Sequence, residues 1–151
     1  VDQQTAQELM THIVAPAFEL FVERRNASLL ELDFALLALS NAVSHFPNIS
    51  DWPDDAESSL DYAVLSAEIS RHWPELGLYD LNTGEGLTDH SSEIGDAIDD
   101  LADIALDLGR SLEIAHVNVS GAVSQLRFWY DAHWDDHAAD LRKHLTWLLN
   151  K

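Results

Sequence analysis

Ile94-Gly95-Asp96-Ala97-Ile98-Asp99-Asp100-Leu101-Ala102-Asp103-Ile104-Ala105-Leu106-Asp107-Leu108-Gly109-Arg110-Ser111-Leu112 is the stretch on which the fold turns. Ile94, Ile98, Leu101, Ala105, Leu108 and Leu112 recur at intervals of three and four residues, the period of a helix with one apolar side. The spacing predicts a helix from about Ser92 to Val117. Asp96, Asp100, Asp103 and Asp107 form a second row along it. At about 100° per residue that row falls opposite the apolar stripe, so it reads as a solvated face. The competing reading is a set of helix-borne carboxylates holding a hard divalent cation. Asp99 and Asp103 lie nearer the edge, within reach of a neighbouring helix.

The same period governs the flanking sequence. A first helix is predicted over about Thr5–Arg25, with Pro16 set to kink or split it. Ser28-Leu29-Leu30-Glu31 reads as a capping box, followed by the stripe Leu29, Leu32, Leu36, Leu39 and Val43, and Pro47 ends that helix. Asn48 to Asp55 reads as a loop, and a third helix runs from about Glu57 to His72, before Pro74. The stretch of about 73–90 holds Pro74, Gly77, Gly84 and Gly86 and reads as one long irregular loop, with Trp73, Leu76, Leu78, Tyr79 and Leu81 packing on the helices. The last helix spans about Val119 to Leu149. With no alternating strand pattern, the fold class is all-α: a single-domain bundle of about five helices over residues 1–151.

Composition narrows the function. The 151 residues include 27 Asp and Glu against 8 Lys and Arg, a net charge of −19, and no cysteine. Disulfides, thiolate metal sites and a Cys nucleophile are excluded. The negative field opposes binding to nucleic acid and to anionic lipid. No apolar run approaches the roughly 18 residues of a membrane span, and no signal peptide is visible, so the expected compartment is the cytoplasm. Whether a leader was removed before Val1 stays open.

The last helix breaks the binary pattern. From Leu126 onward, a wheel set on Leu126 places Trp129, Tyr130, Leu141 and Leu148 on one face. His133, His137, Asp140 and His144 fall in the middle of that same face. Ionisable residues at core positions tend to mark functional or strained sites. His133-x-x-x-His137 puts two imidazoles one turn apart, the way a helix offers two nitrogens to one metal ion. Asp140 is the expected third ligand, or the acceptor that fixes a ring tautomer. Asp99, Asp103 and His144 are further candidate ligands. The blander alternative is a cluster of neutral core histidines hydrogen-bonded to Trp, Tyr or Asp. Burial would then hold their pKa below the unfolded value of roughly 6.5, and stability would fall on acidification.

Two segments together carry a family resemblance. Asp99-Asp100-Leu101-Ala102-Asp103-Ile104, continuing to Asp107-Leu108, resembles a block of an uncharacterised bacterial family, the domain of unknown function numbered 5063. His133-Trp134-Asp135-Asp136-His137, with Leu141-Arg142 after it, is similar to that family's aromatic His-Trp-x-x-His helix, and Tyr79-Asp80 to its Tyr-containing loop. The resemblance covers about Leu78 to Leu149 and implies that both blocks belong to one bundle unit. It brings no activity with it. A second likeness, of His45 at the end of one helix plus the His-x-x-x-His of the last, is to the DinB-like metal-binding bundles.

Two functions stand open. No Gly-rich phosphate loop and no serine elbow are present, so the first reading is a non-catalytic interaction or structural module with a protein partner. The alternative is a metal-binding bundle holding zinc or nickel at His133, His137 and Asp140, with an open position suited to hydrolysis.

Overall fold

Asp2, Ser28, Asp61, Asp96 and Asn118 open the helical rods. Each side chain accepts a backbone N–H of the first turn, from Gln4, Glu31, Ala63, Ile98 and Gly121 respectively. Such caps contribute about 1 kcal/mol each. Ser28 and Glu31 complete the expected capping box.

The computed structural model describes residues 2–48 and 58–151. Helices α1 (Gln3–Leu9) and α2 (Ala15–Glu23) are joined by a π turn at Met10–Val14 into one rod. Then come α3 (Leu29–Ser44), α4 (Tyr62–His72) and α5 (Ala97–Ala115). A second π turn at Tyr130–Trp134 joins α6 (Val119–Trp129) to α7 (Asp135–Asn150). Among the described residues the result is an all-α bundle of five rods, as the periodicity predicts. Among the described residues no helix is long and apolar enough to cross a membrane.

Pro16 does not break its helix. It sits at the second position of α2, directly after the π turn. A helical proline clashes with the carbonyl four residues back and lacks the N–H that would bond it. The π turn relieves this locally by lengthening the repeat, with the Ala15 N–H bonded to the Met10 carbonyl. The rod ends instead at Arg24, Arg25 and Asn26, all with positive φ (58°, 49° and 65°). The Arg24 guanidinium fastens that turn. It donates to the Ala27 and His72 carbonyls, pairs with both Glu75 oxygens, and lies 4.2 Å above the Trp73 ring.

Helix α5 is the centre, packed by α2, α4, α6 and α7. Leu101, Ile104, Ala105 and Leu108 are fully buried in it. Its start differs from expectation. Ile94–Asp96 is a strand, β2, paired antiparallel with β1 (Leu78–Asp80) in the register Leu78↔Asp96, Tyr79↔Gly95, Asp80↔Ile94. Asp96 therefore caps α5 rather than heading a row along it, and Ile94, expected in the core, is 60% exposed on the outer face of the hairpin. The expected irregular loop is thus partly a small sheet. The Tyr79 ring lies where a side chain on Gly95 would go, 2.3 Å from the position of a Cβ there, so this pairing requires glycine. The third helix begins at Tyr62, behind its Asp61 cap, and not near residue 57. Beyond Asn48, the expected 48–55 loop lies outside the described residues, as does Glu57.

Candidate metal centre

Helix α5 and the π turn before α7 build the site. In that turn the Asp135 N–H bonds the Tyr130 carbonyl, five residues back. One residue beyond the α repeat rotates everything after it by about 100° against an unbroken helix. The core stripe of the rod therefore passes from Leu126 to Trp134, Ala138, Leu141 and Leu145, all buried. His133 and His137, expected in the middle of the core face, stand on its flank toward α5. Their side chains are 44% and 26% exposed.

The Asp row is not a solvated face. Asp100 and Asp107 are 6% and 4% exposed, because α5 is covered on this side too, by the C-terminal rod and by Tyr79 from β1. His137 Nδ1 donates to Asp100 Oδ1 at 2.7 Å, and His133 Nδ1 donates to Asp107 Oδ2 at 3.0 Å. With Nδ1 carrying the proton, the Nε2 of a neutral ring is left as a lone-pair ligand. Both Nε2 atoms face one oxygen: Asp103 Oδ2 is 3.4 Å from His137 and 3.9 Å from His133. The rings are 5.0 Å apart and nearly perpendicular, at 80°. Around a tetrahedral ion with zinc-like bond lengths, neighbouring ligand atoms are about 3.3 Å apart. The two Nε2–Oδ2 separations, 3.4 and 3.9 Å, come close to that spacing, and the ligand atoms of all three residues lie within 4.8 Å of one another.

Asp99, Asp100 and His137 form a second set with ligand atoms within 4.8 Å of one another. Its members already have partners: the Tyr62 hydroxyl donates to Asp99, and the Tyr79 hydroxyl donates to Asp100 Oδ2 at 2.5 Å. Burial and the bonded carboxylates hold both phenols in the neutral, donating form, with pKa values pushed up.

At His137 the electrostatics run against the lowered pKa expected of a core histidine. The bond to Asp100, and after it the charges of Asp100, Asp103 and Asp99, raise the His137 pKa above its ordinary value against the opposing effect of burial. Burial raises the carboxyl pKa of Asp103 and of Asp107.

The other sequence-level candidates lie apart. Asp140, expected as third ligand, belongs to neither set, and its carboxylate lies 3.9 Å from Lys143 Nζ. Burial raises its pKa. His144 is buried, but its Nδ1 donates to the Gly84 carbonyl at 2.7 Å and its ring stacks between Tyr79 and Trp147. His45 is exposed, hydrogen-bonded to the Asn41 carbonyl, and in neither set. Sequence reasoning placed Asp100 and Asp107 on a solvated face and Tyr79 in a packed loop, and gave none of the three a role toward the histidines. The available signal was spacing: Asp100 and Asp107 bracket Asp103 by one turn on each side, as a row of three carboxylates facing a His pair requires. Compared with known proteins, the chain matches no family model, no curated protein and no solved structure.

Proposed function

We propose that this protein binds one divalent transition-metal ion, zinc or nickel, through Nε2 of His133, Nε2 of His137 and the carboxylate of Asp103. One observation carries the reading: both Nε2 atoms converge on Asp103 Oδ2 while both Nδ1 atoms are bonded outward to buried carboxylates. A ligating histidine characteristically has its other nitrogen bonded in this way. Two imidazoles and a carboxylate suit zinc, nickel or iron(II) rather than calcium or magnesium. Three protein ligands with His133 at the surface leave a position open to solvent, as in hydrolytic zinc sites. The cytoplasm is the proposed compartment.

Tag-free protein analysed for metal should hold close to one equivalent. After stripping with chelator, zinc or nickel should raise its melting temperature. His133→Ala, His137→Ala and Asp103→Ala should each abolish that rise. Metal-free protein as purified, with no melting shift on titration, overturns the proposal.

A second reading, an interaction module, rests on the hairpin. Leu78 and Ile94 are 54% and 60% exposed on its outer face, and Leu78 borders a groove of about 620 Å³ with Ala63, Ala67 and Ile98. Asp80 and Asp96 share that face, so the fitting partner is a basic protein surface presenting an apolar side chain. Leu78→Glu should abolish retention of such a partner in a pull-down, and a partner still held by the variant rules this surface out.

A further inference from the structure

The two histidines of the site are not held alike. His133 is hydrogen-bonded to one carboxylate, Asp107, and its side chain is 44% exposed. His137 ends a buried chain. Gly84 is φ +81° in the loop after β1, and its carbonyl accepts from His144 Nδ1. The His144 ring stacks on Tyr79, with centroids 4.6 Å apart and planes 12° apart. The Tyr79 ring, fully buried, crosses β2 over Gly95. Its hydroxyl donates to Asp100 Oδ2, and Asp100 Oδ1 accepts from His137 Nδ1.

We propose that Tyr79 is the positioning residue of the site: by holding one oxygen of Asp100 it aims the other at His137 Nδ1, and so fixes the tautomer that leaves Nε2 toward Asp103. A carboxylate bonded at one oxygen only is free to rotate about its terminal torsion. Tyr79 removes that freedom, and Gly95 and His144 remove the freedom of Tyr79. The β-hairpin is on this account part of the site, although none of its atoms is a ligand. The proposal rests on the metal reading for its affinity consequence alone. The tautomer consequence is a property of the metal-free protein.

The test is Tyr79→Phe, which keeps the ring, its stacking on His144 and its contact with Gly95. Long-range proton–nitrogen correlation spectra of chelator-treated protein, recorded at a pH where both imidazoles are neutral, report each tautomer separately. His137 should be the Nδ1–H form in the wild type and a mixture in the variant, with His133 unchanged as the internal reference. Zinc affinity should fall about 10–100-fold, the usual effect of losing a group that orients a ligand. An unchanged His137 tautomer, or equal changes at both histidines, overturns the proposal. A wild type that takes no zinc while His137 still responds overturns the metal reading instead and leaves this one standing. Should Tyr79→Phe fail to fold, the wild type decides. A Tyr79 hydroxyl proton protected from solvent exchange is expected, and a rapidly exchanging one overturns the chain.

Discussion

At the scale of residues, protonation and metal compete for the same atoms. In the metal-free protein the raised pKa of His137 means that the folded state holds its proton more tightly than the unfolded chain does. That stabilisation is fully present below the unfolded value of about 6.5 and is lost as the pH rises through the folded value. The raised carboxyl pKa values of Asp103, Asp107 and Asp140 have the same sign, in a window that opens lower, above the unfolded carboxylate value of about 3.9. Between about pH 6 and about pH 8 it is therefore His137 that sets the slope. Chelator-treated protein is therefore expected to melt higher near pH 6 than near pH 8, and His137→Gln to flatten the slope above about pH 6.5. A melting temperature that rises over that interval contradicts the His137–Asp100 pairing. The direction is opposite to what the sequence alone suggests. The wheel places His137 in the core, where an isolated imidazole would be neutral, and cannot show that a buried carboxylate meets it there. Asp107→Asn should also discriminate. It removes the charge but keeps an acceptor for His133, so zinc binding should weaken by about tenfold and persist. Full loss of binding would make Asp107 a ligand rather than an orienting group.

At the scale of elements, the π turn at Tyr130–Trp134 is a phase shift, and it explains why the last rod was half legible. Trp134, Ala138, Leu141 and Leu145 are a sound stripe with spacings of four, three and four, as readable as that of any helix. It is out of phase with Leu126, and a wheel drawn through both averages them into a face containing histidines. A single added residue leaves composition and propensity untouched, so nothing local announces it. The phase argument also has a measurable consequence. Ala132 is exposed inside the turn. Deleting it should turn the π turn into plain α-helix with both stripes still facing the core, at a cost of no more than about 1 kcal/mol in urea denaturation. Inserting an alanine after it should rotate Trp134, Ala138, Leu141 and Leu145 away from the core, each at a cost of a few kcal/mol, enough to prevent folding. Equal effects of deletion and insertion would rule out the phase account. The start of α5 was misread for a simpler reason: three residues of strand lie below the length at which alternation can be told from a helix entry.

At the scale of the whole molecule, the five rods follow from apolar period and caps, and the position of α5 at the centre does not. The wheel assumes one dry side and one wet side. A helix packed by α2, α4, α6 and α7 has hardly any wet side, so its carboxylates are covered as well as its leucines. The net charge of −19 still acts on the rest. Going from about 10 mM to about 150 mM monovalent salt shortens the Debye length from about 30 Å to about 8 Å and relieves repulsion among the surface carboxylates. The metal-free melting temperature should rise over that range, and a fall would show that attractive surface pairs outweigh the excess charge. The central placing of α5 also bears on residence time. A helix enclosed by four others opens only with the whole molecule, the slowest of a protein's openings. An ion held by Asp103 could not escape from that side. Its exit, and the rate at which a chelator could strip it, would be set by the swing of one exposed imidazole, His133, as the hinged side of an otherwise fixed door.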